Sequence, residues 1–259
     1  MKHILRPLQW IYCIYAFIVF DIIMLLIFPF VFAASFLGRI KGGNIIIRLC
    51  MLWADLWFLL IFIWPRRFYE TLHDKTKPYI FVSNHISYID AAVLVKAYRQ
   101  SIRPLGKIEM RKVPVFGFIY DKAIVSVDRS NAGNRANSVR LLKSITRKGI
   151  SVMVFPEGTF NMTNKPLKEF YDGAFRVAIE TQTPIKPVLF LDTYDRMHYR
   201  SVFSLNPGKC RIIYLDEISV EGLTMADVVK LKEKVFVIME NKLRDYKASW
   251  IKPPAPKGE

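Results

Sequence analysis

The stretch Pro78-Tyr79-Ile80-Phe81-Val82-Ser83-Asn84-His85-Ile86-Ser87-Tyr88-Ile89-Asp90 starts as a short apolar run and ends on a histidine with a carboxylate five residues on. The apolar part reads as a buried strand over Tyr79–Ser83, which delivers His85 to the loop at the strand's carboxyl end. In open α/β sheets ligands bind outside the carboxyl ends of strands, at loops of this kind. His85 and Asp90 have the chemistry of a base and the group that orients it. The same residues also fit a capping box, with Ser87 capping the next helix and Asp90 returning to the cap's backbone N–H. Both readings can hold together, because a carboxylate in a first helical turn is well fixed for holding an imidazole.

Working outward, short apolar runs alternate with amphipathic segments after Phe68, the pattern of α/β architecture. Further strands are expected at Ile124–Val127, Ser151–Phe155, Ile185–Leu191 and Cys210–Leu215. Helices are expected at Ala91–Arg99, about Asn134–Arg147 (stopped by Gly149), Gly173–Thr181 and Met225–Tyr246. The expected fold is α/β, a mostly parallel sheet flanked by helices over residues 68–251, with a flexible tail at 252–259. No internal repeat or low-complexity stretch interrupts it.

Residues 1–67 differ in character. From Leu8 to Leu37 the only charged residue is Asp21, and about 20 apolar residues suffice to cross a bilayer core. A second apolar segment, Ile45 to Trp64, carries Arg48, Asp55 and three tryptophans, and Arg66 and Arg67 close it. A cleaved signal peptide has a far shorter apolar region, so an uncleaved, membrane-anchoring helical pair is expected. Two full spans put the remaining chain on the cytoplasmic face, with Arg66 and Arg67 inside. A pair lying partly in one leaflet is the other topology, and an ordinary soluble hairpin is the third reading.

The net charge, 38 − 22 = +16, suits an anionic partner such as an acidic membrane surface, a phosphorylated substrate or nucleic acid. Cys13, Cys50 and Cys210 are far apart, without metal-ligand spacing, and read as free thiols.

Two more clusters bear on the histidine loop. Ser151–Phe155 leads into Pro156-Glu157-Gly158-Thr159, a strand-end turn that offers a carboxylate, backbone N–H groups and a hydroxyl for binding a hydroxyl group, phosphate or oxyanion. Between the two loops, Lys107-Ile108-Glu109 precedes Val113-Pro114-Val115-Phe116-Gly117, and Val127-Asp128-Arg129 follows a short strand. Lys107 and Arg129 suit a phosphate, one as a point charge and the other by bidentate hydrogen bonding. Each alone also reads as a solvated surface cation.

The ordered set Asn84-His85-x4-Asp90, Lys107-x-Glu109 with Pro114-x-x-Gly117, Val127-Asp128-Arg129, Phe155-Pro156-Glu157-Gly158-Thr159 and Ile185-Lys186-Pro187-Val188 resembles the glycerolipid acyltransferase family. Within it, the set is most similar to 1-acylglycerol-3-phosphate (lysophosphatidic acid) acyltransferases. The resemblance covers about residues 70–215 and implies a glycerol-3-phosphate acyltransferase-like fold without metal or cofactor. It implies that His85 is the general base, that Asp90 holds its imidazole, and that Asn84, Lys107, Arg129, Glu157, Gly158 and Thr159 bind the acceptor. The implied partners are membrane lipids, a lysolipid acceptor and an acyl-CoA or acyl carrier protein donor, with no nucleic acid. The implied reaction forms phosphatidic acid for phospholipid biosynthesis. One departure bears on the acceptor: many members have arginine after Glu-Gly-Thr, placed on the acceptor phosphate, where this chain has Phe160, and Lys165 or Lys168 is the cation available to compensate. Another lysolipid, such as an N-acyl amino-acid lipid, is therefore a second acceptor class, and a non-enzymatic protein binding anionic lipid is a third reading.

Overall fold

The structure is a computed structural model describing residues 2–127 and 132–252. Helix α1 (Lys2–Ser35) turns back through Gly38–Gly42 into α2 (Gly43–Leu60), and strand β1 (Ile63–Tyr69) follows. Then come β2 (Ile80–Ser83), α3 (Asp90–Ala97), β3 (Ile102–Lys107), α4 (Phe116–Ala123), β4 (Val125–Val127), α5 (Ala132–Thr146) and β5 (Ser151–Val154). The chain ends with α6 (Gly173–Thr181), β6 (Ile185–Phe190), the single turn α7 (Thr193–Arg196), β7 (Gly208–Tyr214) and α8 (Val228–Asp245).

The strands form one sheet in the order β1-β7-β6-β2-β5-β3-β4. Every neighbouring pair is parallel except β6 and β7, as expected of a mostly parallel sheet. Its central strands are buried on both faces, so they read as continuous apolar runs. Alternate residues still face opposite ways: Phe81, Met153, Val188 and Phe190 join a core with α2, α3 and α4, while Ile80, Val82, Val152 and Leu189 join one with α5, α6 and α8. Right-handed crossovers explain the division. The chain moves one way along the sheet from β2 to β3 through α3, and the other way from β5 to β6 through α6. Opposite travel with one hand puts the two helices on opposite faces. The loops leaving adjacent β2 and β5 therefore head to opposite faces, the point in open α/β sheets at which ligands bind.

Four elements were not expected: the single turn α7, β1, β3 and α4. Strand β1 starts inside the second apolar segment and pairs with β7 from Ile63 to Tyr69, so the sheet begins ahead of the boundary after Arg67. It is an edge strand with Pro65, Arg66 and Arg67 in sequence, and an edge tolerates proline and exposed charge. In β3, Pro104 sits where the strand changes partner: Ile102–Pro104 pair with β5, and Leu105–Lys107 pair with β4. A proline inside a sheet usually argues against a strand. Helix α4 begins after Val115, whose φ is +60°, and Gly117 lets it close on the preceding turn. A Cβ on Gly117 would lie 2.2 Å from the Arg111 carbonyl oxygen.

The N-terminal pair is tied to the sheet domain. The indole N–H of Trp57 donates to the Ala16 carbonyl at 2.9 Å and that of Trp53 to the Phe20 carbonyl at 3.3 Å. Phe20 packs edge-on against both rings. Asp55 on α2 pairs with Lys96 and Arg99 at the end of α3. Deeper, the buried Arg103 of β3 reaches the turn before α2, donating to the carbonyls of Arg39 (3.2 Å) and Ile40 (3.3 Å) and to Asn44 Oδ1 (2.9 Å). Burial pushes its pKa down to about 10. Gly43 admits the guanidinium, since a Cβ there would lie 2.4 Å from Nη2.

Replacing Arg103 leaves these acceptors unpaired and uncouples the helical pair from β3. Arg103→Met is expected to cost on the order of 3 kcal/mol, read as a lower thermal unfolding midpoint in detergent. An unchanged midpoint would remove this tie from the account.

Candidate active site

His85 leaves β2 on the loop before α3, and Asp90 is the first residue of that helix. Asp90 is fully buried, and its Oδ2 accepts three hydrogen bonds: from His85 Nδ1 at 2.8 Å, from the Ile86 N–H at 2.8 Å and from the Ser87 N–H at 2.9 Å. Half of the capping box thus exists together with the histidine contact. The other half is displaced by one residue: the Ser87 hydroxyl accepts from the Ile89 N–H at 3.2 Å rather than from that of Asp90, while it donates to the Met197 carbonyl. With Nδ1 engaged, Nε2 is the nitrogen left to meet a substrate. The imidazole is about one-fifth exposed. Phe155 stacks on one face, with ring centres 4.0 Å apart and planes 9° apart, and Phe160 meets it edge-on at 4.4 Å. Phe160 also packs edge-on against Tyr88 at 4.8 Å.

Glu157 fastens the loop after β5 to the histidine loop. It is 1% exposed; Oε1 accepts the His85 N–H and Oε2 the Lys168 N–H, both at 2.8 Å. The Asn161 N–H donates back to the His85 carbonyl at 2.7 Å. Gly158 has φ +74°, a region a side chain disfavours. Burial, with the nearby Asp90 charge adding to it, pushes the Glu157 pKa up to about 8, against the two N–H donors that lower it. Asn84 is also buried: its amide donates to the Phe190 carbonyl at 3.0 Å and accepts the Phe190 N–H at 2.9 Å, which locks the histidine loop to β6.

The structure thus brings His85, Asp90, Asn84, Glu157, Gly158 and Thr159 together, but not all in the expected capacity. Asn84 and Glu157 were expected to bind the acceptor; their polar atoms hold backbone beneath the site instead. Lys107 is exposed at the carboxyl end of β3, on the same sheet edge, and Tyr120 Oη donates to its carbonyl at 2.9 Å. Arg129 lies outside the described residues. Sequence reasoning missed the ring contacts of Phe155 and Phe160 with His85, since an aromatic residue beside a strand end carries no signal of its partner. Lys168 proves closer to the site chemistry than Lys165. Its ammonium donates to Thr159 Oγ1 at 2.7 Å, whereas Lys165 is exposed and, among the described residues, hydrogen-bonded through its backbone alone.

A family model described as Acyltransferase matches residues 66–191. Residues 66–191 belong to the acyltransferase family. An uncharacterized acyltransferase of Schizosaccharomyces pombe is 31% identical over 180 residues, 67% of this chain and 63% of that protein. The 1-acyl-sn-glycerol-3-phosphate acyltransferase alpha of Mus musculus is 30% identical over 162 residues, 62% of this chain and 56% of that protein. The chain thus spans less than two thirds of the length of these curated relatives. The acyltransferase fold extends over nearly the whole chain. The crystal structure of the 1-acyl-sn-glycerophosphate (LPA) acyltransferase from Thermotoga maritima superposes with TM-score 0.75 and 22% identity, covering 97% of this chain and 100% of that one.

Because burial raises the Glu157 pKa, the folded state holds a proton that the unfolded chain releases from about pH 4.5 upward. The contribution of this group is complete below about 4.5 and lost as pH rises to about 8. Unfolding measured across that window is expected to show falling stability in the natural chain and a shallower fall in Glu157→Gln. Equal slopes would contradict the raised pKa.

Proposed function

We propose that the chain is a membrane-bound O-acyltransferase that moves a fatty acyl group from a thioester to the free hydroxyl of a lysolipid. The observation carrying this reading is the Asp90 carboxylate on His85 Nδ1, which favours the tautomer with Nε2 unprotonated. That nitrogen accepts the proton of the acceptor hydroxyl as its oxygen bonds to the thioester carbon. The carbon–sulfur bond then breaks, and the imidazolium returns the proton to the departing thiolate. Asp90 stabilises the imidazolium between these steps, the part a carboxylate plays in a serine-hydrolase triad. No protein nucleophile is required, since the substrate hydroxyl is the nucleophile.

The acceptor proposed is 1-acylglycerol-3-phosphate, giving phosphatidic acid, and the donor is acyl-CoA or acyl carrier protein. The relatives named for that acceptor support this reading, as do Lys107 and the Glu157–Thr159 turn on the sheet edge that carries His85. Phe160 against the imidazole favours a second reading, in which the lysolipid carries another head group, such as an N-acyl amino acid.

Membrane attachment is proposed through α1 and α2. Both are long and apolar enough to cross a bilayer by length and composition, and α1 exposes Ile11, Ile18, Leu25, Leu26, Phe30 and Phe32. The buried side of α2 shares a core with α3 and α4, so this pair is better suited to lying against one leaflet than to standing free of the domain. Arg66 and Arg67 at the exit favour the cytoplasmic face.

The test offers the purified chain a panel of lysolipids with each thioester donor. Turnover with lysophosphatidic acid is expected. His85→Ala is expected to reduce it about 1,000-fold or more, and Asp90→Asn about 100-fold or more, with folding retained. Undiminished thioester-dependent acylation by His85→Ala would sink the enzymatic reading. An inert lysophosphatidic acid beside a reactive amino-acid lysolipid would transfer the proposal to the second acceptor.

A further inference from the structure

We propose that Lys168, presented with Thr159, is the cation that receives the acceptor's phosphate head group beside the dyad. The inference rests on the acyltransferase reading and singles out one of the two lysines that follow the turn.

Three observations carry it. The first is pairing. Lys168 Nζ lies 2.7 Å from Thr159 Oγ1, and no carboxylate lies within ion-pair distance of it among the described residues. Several other cations of this basic chain are already matched: Lys96 and Arg99 share Asp55, and Lys232 holds Asp172. A half-buried ammonium on a neutral hydroxyl has two further N–H donors for an incoming anion.

The second is position. The Lys168 backbone N–H is clamped by Glu157 Oε2, and Glu157 Oε1 clamps the His85 N–H. One carboxylate therefore fixes the backbones of the base and of the lysine, so the ammonium is placed by the same buried group that orders the dyad loop. Thr159 lies on the turn between them.

The third is direction. The Thr159 oxygen accepts from Lys168, so its own proton is left to donate, and no acceptor for it is found among the described residues. Ammonium and hydroxyl together offer a donor pair to phosphate oxygens, while Phe160 offers none. Phe160 instead packs on His85 and Tyr88, closing the side of the turn where a cation is absent. The phosphate is thus directed toward Lys168 and away from the position following Thr159.

The experiment measures acyl transfer by the full chain to lysophosphatidic acid and to monoacylglycerol, which lacks the phosphate. Lys168→Met is expected to raise KM for lysophosphatidic acid about 10- to 100-fold, since charge-assisted hydrogen bonds of this kind are worth about that factor. kcat, donor KM and monoacylglycerol turnover are expected to change less than about threefold, the pattern of lost uniform binding. Lys168→Arg restores most of the loss, and Thr159→Val reproduces part of it. The Lys168 backbone contact to Glu157 survives every side-chain change, and matching unfolding midpoints check that the turn is intact. Unchanged KM in Lys168→Met, or equal loss with both acceptors, would overturn the proposal while leaving the acyltransferase reading in place. Absence of acyl transfer by the natural chain to either acceptor would overturn both.

Discussion

One buried oxygen organises the functional edge of this protein. Oδ2 of Asp90 takes the His85 Nδ1 contact and two backbone N–H groups within 2.9 Å. The same atom ends the loop, starts α3 and aims the imidazole. A carboxylate without exposure is costly unless charge-assisted hydrogen bonds compensate it, and here all three donors come from the five residues before it. The geometry therefore needs only β2 to deliver the loop and α3 to hold Asp90 in its first turn. The Asp90 half of the capping box and the base–orienter pair are one structure.

Around this pair the sheet supplies the separation of parts. Crossovers in opposite directions put α3 and α6 on opposite faces, so the histidine loop and the Glu157 loop part above neighbouring strands. Glu157 then rejoins them through backbone N–H groups on both of its oxygens. Trp53 and Trp57 hold α1 to α2, and the pair docks on the sheet domain through Asp55 against the end of α3 and through Arg103 of β3. The element proposed to lie in lipid is thereby joined to the helix that begins with Asp90. The helical pair proposed to seat in the membrane and the histidine proposed to activate a hydroxyl are parts of one body, which suits the proposed lipid acceptor.

Much of this was legible in the sequence because periodicity and strand-end chemistry are local. β2, β5, β6 and α6 lie within a residue or so of the expected positions, and the His85–Asp90 contact follows from a five-residue spacing. What escaped was set by partners distant in the chain. β1 looks like the basic end of an apolar helix until β7 is beside it. β3 carries a proline that is harmless only where the strand changes neighbours. Asn84 and Glu157 look like ligand-binding polar groups, and burial turns them into backbone clamps. Phe160 reads only as a missing cation until its ring is seen against His85.

The central claim is that Asp90 holds His85 with Nδ1 protonated and Nε2 free to act as base. Nitrogen-15 NMR of the histidine side chains, with His85 assigned by its absence from His85→Ala, measures this directly in the folded chain at a pH where the ring is neutral. The account predicts a protonated Nδ1 and an unprotonated Nε2 for His85, with the preference lost in Asp90→Asn. A proton resident on Nε2, or no response to the Asp90 change, would contradict it.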